Sequence, residues 1–168
     1  EKDFRSAKLQ DIARLADVSV SLLYSYFKNK EKLFEGVVSS APFDFNRIAR
    51  EEESIIANTP SERYQIAAEG PLLNMLAHHK LLVILIDKSQ GTAYEHAKDD
   101  FVKSIERHIR YMVNERASLR YPDLLAHVLA SNFVESLMEV ARHYSNEDEA
   151  RDMLALIAQC YYEGVNSL

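Results

Sequence analysis

Residues 8–34 read Lys8-Leu9-Gln10-Asp11-Ile12-Ala13-Arg14-Leu15-Ala16-Asp17-Val18-Ser19-Val20-Ser21-Leu22-Leu23-Tyr24-Ser25-Tyr26-Phe27-Lys28-Asn29-Lys30-Glu31-Lys32-Leu33-Phe34. Leu9, Ile12, Ala13 and Ala16 recur at intervals of three and four, the spacing that puts side chains on one face of a helix. Asp17 follows at a position where the chain must turn, and Asp is one of the few non-glycine residues that tolerates a left-handed conformation. Ser19 is placed to cap a second helix through Tyr26, with Leu23 and Phe27 inward, and Asn29 to cap a third that starts at Lys30. Two short helices joined by a tight turn, the second polar on one side, form a helix-turn-helix pattern. In that arrangement the first helix braces against the phosphate backbone while the second lies in the major groove.

The details go beyond that shape. The Ile12-Ala13 pair, Asp17-Val18-Ser19 at the turn, Tyr24-Ser25-Tyr26-Phe27, and Lys30-Glu31-Lys32-Leu33 opening the next helix stand at the spacing of one family pattern. Residues 8–34 thereby resemble the DNA-binding domain of the TetR family of transcriptional regulators. Two departures stand out: Asp17 occupies the place of the usual glycine, and Val20-Ser21-Leu22 the place of a basic residue, a small one and a Thr or Ser. The second departure replaces hydrogen-bonded readout by possible methyl contacts to thymine. Glu1 to Phe4 resemble the tail of the family's first helix, and the rest of that helix lies outside this sequence.

The resemblance implies roles in DNA contact for Lys8, Ser19, Val20, Ser21, Leu22, Tyr24, Ser25, Tyr26, Lys28 and Lys30. Lys30, at a helix amino end, is expected at a phosphate together with backbone N–H groups, and the two tyrosines as hydroxyl donors to phosphates. Ser21 and Ser25 are the candidates for base edges, and Ser19 for a cap, a phosphate contact or both. The alternatives are amphipathic packing for the tyrosines and a solvated face for Lys8 and Lys28.

The remainder of the 168 residues keeps the helical period almost throughout, which makes the fold all-α. Four Gly and four Pro are too few for the turns of a sandwich or barrel. With 47% hydrophobic and 27% charged residues the composition is that of an ordinary globular protein. Thr59-Pro60-Ser61-Glu62 opens a helix to about His78, broken at Gly70-Pro71. A short apolar helix, roughly 80–89, is expected to stop at Gly91, and Thr92 with Glu95 to open a long helix to about Ser118. Pro122 suits a first helical position for a helix through Tyr144, and Asn146 with Glu149 a cap for the last, to about Val165. About eight helices result. The expected division is residues 1–45, a DNA-binding domain, and residues 46–168, a helical domain for ligand binding and dimerisation.

Charge is unevenly spread. Residues 1–34 carry seven Lys or Arg against five acids, and the rest 13 against 21, within a net charge of −6. A mildly basic head on an acidic body suits approach to a polyanion by one end only. A single cysteine, Cys160, excludes an internal disulfide framework and fits the reducing cytoplasm. Glu1 to Arg5 contain no apolar signal segment, and the longest aliphatic run, Leu81 to Ile86, is far short of the ~20 residues of a membrane span. No His-Glu-x-x-His, paired cysteines or Gly-rich phosphate loop is present, so neither catalysis, nor a metal, nor a cofactor is expected.

In the body, Phe101, Ile105, His108 and Met112 share one helical face, and Tyr64 and Met75 another, with Asn74 and His78 near its edge. With Phe133 they are the candidates for the pocket of a small hydrophobic or amphipathic effector, expected between the fifth, seventh and eighth helices. The competing reading is plain core packing. The last two helices are apolar over more than one face. Leu125, Leu129, Phe133, Leu137, Met153, Leu156, Ile157, Cys160, Tyr161 and Gly164 are therefore the candidates for a homodimer interface, as the resemblance also implies. The function expected is a ligand-responsive regulator, most simply a repressor, binding a pseudo-palindromic operator as a homodimer. The alternative is a helical interaction module or apolar-ligand carrier that does not read DNA.

Overall fold

The computed structural model describes residues 2–41, 43–56, 62, 66, 68–116 and 122–167. Among these residues the chain forms nine α-helices and one π turn, with no strand. The head contains α1 (Leu9–Leu15), α2 (Val20–Tyr26) and α3 (Lys30–Val38). The body follows with α4 (Phe45–Glu53), a π turn (Ala68–Leu72) leading into α5 (Leu73–Ala77), then α6 (His79–Asp87), α7 (Ala97–Arg116), α8 (Asp123–Arg142) and α9 (Glu147–Asn166). The break expected at Gly70-Pro71 is present as the π turn, where Gly70 leaves helical geometry. The Thr59 start signal lies outside the described residues.

Three boundaries differ from expectation. Thr92 makes a turn rather than a helix start: its hydroxyl donates to Ser89 O at 2.7 Å and accepts from Tyr94 N at 3.0 Å. The Glu95 carboxylate meanwhile accepts from Gly91 N at 3.0 Å, so the α-helix begins only at Ala97. Helix α6 ends at Asp87, ahead of Gly91, whose φ of 84° serves the turn that follows. Pro122 is the N-cap of α8 rather than its first helical residue.

The core forms where α8 lies among α6, α7 and α9, with Ala130, Val134, Leu137, Met138 and Ala141 buried on its inner face. The helix is apolar enough by length and composition to cross a membrane, but this face is occupied by the chain's own helices. Helix α4 joins the body through Phe45, whose ring stacks on Phe101 of α7 at 4.2 Å and whose carbonyl accepts from buried Ser104 at 3.0 Å. Asp44 caps α4 by accepting from Arg47 N at 2.9 Å.

At its carboxyl end α8 is tied down by Arg142. The guanidinium grips Asp87 of α6 with two bonds of 2.9 Å and also pairs with Glu135 and Glu139. Lys98 of α7 reaches the same Glu135, so one ionic cluster joins three helices. Lys98 first, then Arg142, holds the Glu135 carboxyl below the usual carboxylate range, and the Asp87 carboxylate chiefly raises Arg142 above its own. Because the folded-state value of Glu135 is the lowered one, its contribution is complete above the ordinary value of 4.5 and is lost as pH falls from there through the lowered folded-state value. Replacing Arg142→Met should lower stability by about 1–3 kcal/mol at neutral pH, since the site is partly solvated and Asp87 loses both its bonds. The same variant should show a shallower loss of stability between pH 5 and 3, within roughly the carboxylate titration range. Urea denaturation across that range measures both.

Candidate nucleic-acid interface

The turn between α1 and α2 is made by Asp17, whose φ is 54°. Val18 N–H donates to Ala13 O at 2.9 Å and Asp17 N–H to Arg14 O at 3.3 Å, closing the end of α1 in the manner of a left-handed C-terminal cap. Asp17 thus fills the glycine-like role expected of it, at the steric cost of a Cβ. Ser19 caps α2, its hydroxyl accepting from Leu22 N at 3.1 Å, and Asn29 caps α3, accepting from Lys32 N at 2.9 Å.

These caps orient α2. Leu23 and Phe27 are half-buried, and the Phe27 ring lies against α3 so closely that a Cβ at Gly36 would stand 3.0 Å from it. The opposite face carries Ser21, Leu22, Tyr24, Ser25 and Tyr26, all exposed, with Tyr26 at 77% and Leu22 at 44%. Val20 is half-buried at the helix start. Ser25 donates its hydroxyl back to Leu22 O at 2.7 Å, a bond that a base-edge contact would have to replace. Lys8, at the start of α1, and Lys28, just beyond α2, are exposed. Lys30, expected beside them, is directed elsewhere: its ammonium donates to Phe4 O at 2.8 Å and Ala7 O at 3.2 Å. Lys2 pairs with Asp11 at 2.6 Å and is the first cause of that carboxyl's lowered pKa.

The body residues named as pocket candidates are dispersed. Phe101, Ile105, His108 and Phe133 are buried in the core, and Asn74 and His78 are exposed. The Phe101 ring is stacked on Phe45, a neighbour from α4. Met75 and Asn74 do border a cavity of about 250 Å³, walled also by Arg47, Ile48, Glu51, Gly70 and Pro71 beside the π turn. Tyr64 and the side chain of Met112 lie outside the described residues. Among the dimer candidates, Phe133 and Leu137 are claimed by the chain's own core, Phe133 packing on Tyr161 at 4.8 Å between centroids. Leu125, Leu129, Ile157 and Tyr161 are half-buried, and Met153, Leu156, Cys160 and Gly164 exposed. Leu124 and Val128 of α8 are exposed as well.

A capped short helix held by its neighbours with its polar face free, on a head of basic character, defines a helix-turn-helix DNA-binding domain. Residues 1–37 match the family model for bacterial regulatory proteins of the tetR family, so the head is similar to the DNA-binding domain of those regulators. The match covers the head almost to the end of α3. No curated protein matches the chain.

The left-handed residue at the turn sets a direct test. Asp17→Gly should stabilise the fold by up to ~1 kcal/mol and Asp17→Val destabilise it by about 1–2 kcal/mol, read from thermal unfolding.

Proposed function

We propose that the protein is a ligand-responsive repressor that binds a pseudo-palindromic operator as a homodimer, residues 1–45 meeting DNA and residues 46–168 sensing and pairing. The observation that carries the DNA reading is the free face of α2, with Ser21 and Ser25 for base edges and Tyr24, Tyr26, Lys8 and Lys28 for phosphates. Leu22 on that face favours the second reading, an interaction module that keeps the shape without reading sequence.

Pairing is supported by a stripe that one copy leaves uncovered. Leu124 is 66% exposed and Leu156 57%, and Val128, Met153, Cys160 and Gly164 continue the line on α8 and α9. A groove of about 420 Å³ between these helices, with Val140, Met153 and Ile157 in its wall, extends the same surface. An apolar strip of this kind is the raw material of a two-fold interface that sets two heads a fixed distance apart. The effector is assigned to the cavity beside the π turn, where Ile48, Met75 and Pro71 supply apolar wall and Arg47, Glu51 and Asn74 polar groups. That lining suits a small amphipathic molecule.

Binding of the full chain to its own upstream region, followed against salt, tests the DNA reading. Lys28→Ala should make the salt dependence shallower by about one unit of slope, and Ser25→Ala should alter the ranking of sites with little change in slope. A flat salt dependence would favour the interaction module instead.

The joint substitution Met153→Glu and Leu156→Glu should yield a folded monomer, because both side chains are exposed in the single chain. Sedimentation equilibrium checks it; the unmodified protein sedimenting as a monomer at micromolar concentration would refute the pairing.

A further inference from the structure

Three lysines near the recognition helix differ in their surroundings. Lys8 and Lys28 are exposed, whereas Lys30 is half-buried. Its Nζ donates to Phe4 O at 2.8 Å and Ala7 O at 3.2 Å, stands 3.5 Å from Arg5 O, and lies 4.4 Å above the centroid of the Phe4 ring. An ammonium has three N–H groups, and here they converge on three carbonyls of one turn. Those carbonyl dipoles point at a common centre and would repel one another without a cation between them.

The same turn is fixed to the body. Phe4 is buried, its ring meets Phe34 of α3 edge-on at 5.3 Å, and its N–H donates to Lys88 O, just beyond α6, at 2.9 Å. Phe34 in turn faces Tyr94 of the body at 6.1 Å. From α3 the chain of contacts therefore runs through the Lys30 ammonium to the backbone of Phe4, and from there to the end of α6.

We propose that Lys30 is a positioning residue rather than a phosphate contact: by gathering the Phe4, Arg5 and Ala7 carbonyls it seats the amino-terminal turn on α3 and thereby fixes the head to the body. A lysine serving a phosphate keeps its hydrated head in solvent until DNA arrives. Lys30 has already exchanged that hydration for carbonyls and an aromatic face. The proposal rests on the reading of the head as a DNA-binding domain only for its contrast with Lys28.

The test uses the full chain with a mixed-sequence DNA duplex and, separately, amide exchange without DNA. Lys30→Met should leave the salt slope of duplex binding as in the unmodified protein, while Lys28→Ala lowers it by about one. Lys30→Met should also accelerate exchange of the Phe4 amide about tenfold or more, with Lys30→Arg, which keeps a donor cation, restoring most of the protection. A slope lowered by about one in Lys30→Met, or a Phe4 amide exchanging at the original rate in that variant, overturns the proposal. If Lys30→Met does not fold, Lys30→Gln, whose amide can still serve one carbonyl, should show the same two signs to a smaller degree. Failure of the unmodified chain to bind any duplex would overturn the DNA reading, and the amide exchange would still decide the role of Lys30.

Discussion

The arrangement of this protein depends on how α8 is buried. Its inner face is occupied by α6, α7 and α9, and its carboxyl end is clamped to α6 by the bidentate Arg142–Asp87 pair. Burial of this kind supplies most of the driving force for folding, but it is non-directional and would tolerate sliding of one helix along another. The ionic cluster supplies the direction, because a planar guanidinium accepts partners only in fixed positions. Once α6 is held in that way its end at Lys88 and its Ile84 side chain are placed beside the head, where Phe4, Leu33, Phe34 and Val37 meet them around a shared apolar cavity.

The head was largely legible in the sequence because what shapes it is local. Ser19 and Asn29 each satisfy an N–H three residues away, as Asn146 does in the body, so the residue type and its place before an apolar run are sufficient signals. Asp17 is of the same kind. Thr92 shows the limit of such reasoning: its local bonds formed, but they made a turn, and the helix waited until Ala97. The contacts that assemble the molecule are of another sort. Phe45 with Phe101, Arg142 with Asp87, and Lys30 with Phe4 join residues 56, 55 and 26 positions apart, and no periodicity in a single segment reports them.

The proposed site in the body was less legible for a related reason. A run such as Phe101, Ile105 and His108 marks a helix face removed from water, and removal by a ligand or by another side chain leaves the same pattern. Over Phe101 the covering group is Phe45. The cavity beside the π turn uses Gly70 and Pro71, the residues that spoil the pattern, together with Arg47 and Glu51 from a helix distant in sequence. The uncovered stripe on α8 and α9 is visible as an excess of apolar residues, but which of them face inward is decided by packing against neighbouring helices, and Leu137 and Phe133 are buried within the single chain.

The seam between Phe4 and Lys88 has a mechanical consequence. The head meets the body along a line and not at one point: α3 packs on α6, Val38 enters the body's core, and the Phe4 N–H donates to Lys88 O within its aromatic surround. A body held at one point can swing about every axis, while contacts spread along a line resist rotation about most of them. A shift of α6 is therefore passed to α3 and to the amino-terminal turn together. Loss of the amino-terminal turn would shorten that line and return part of the rotational freedom to the head.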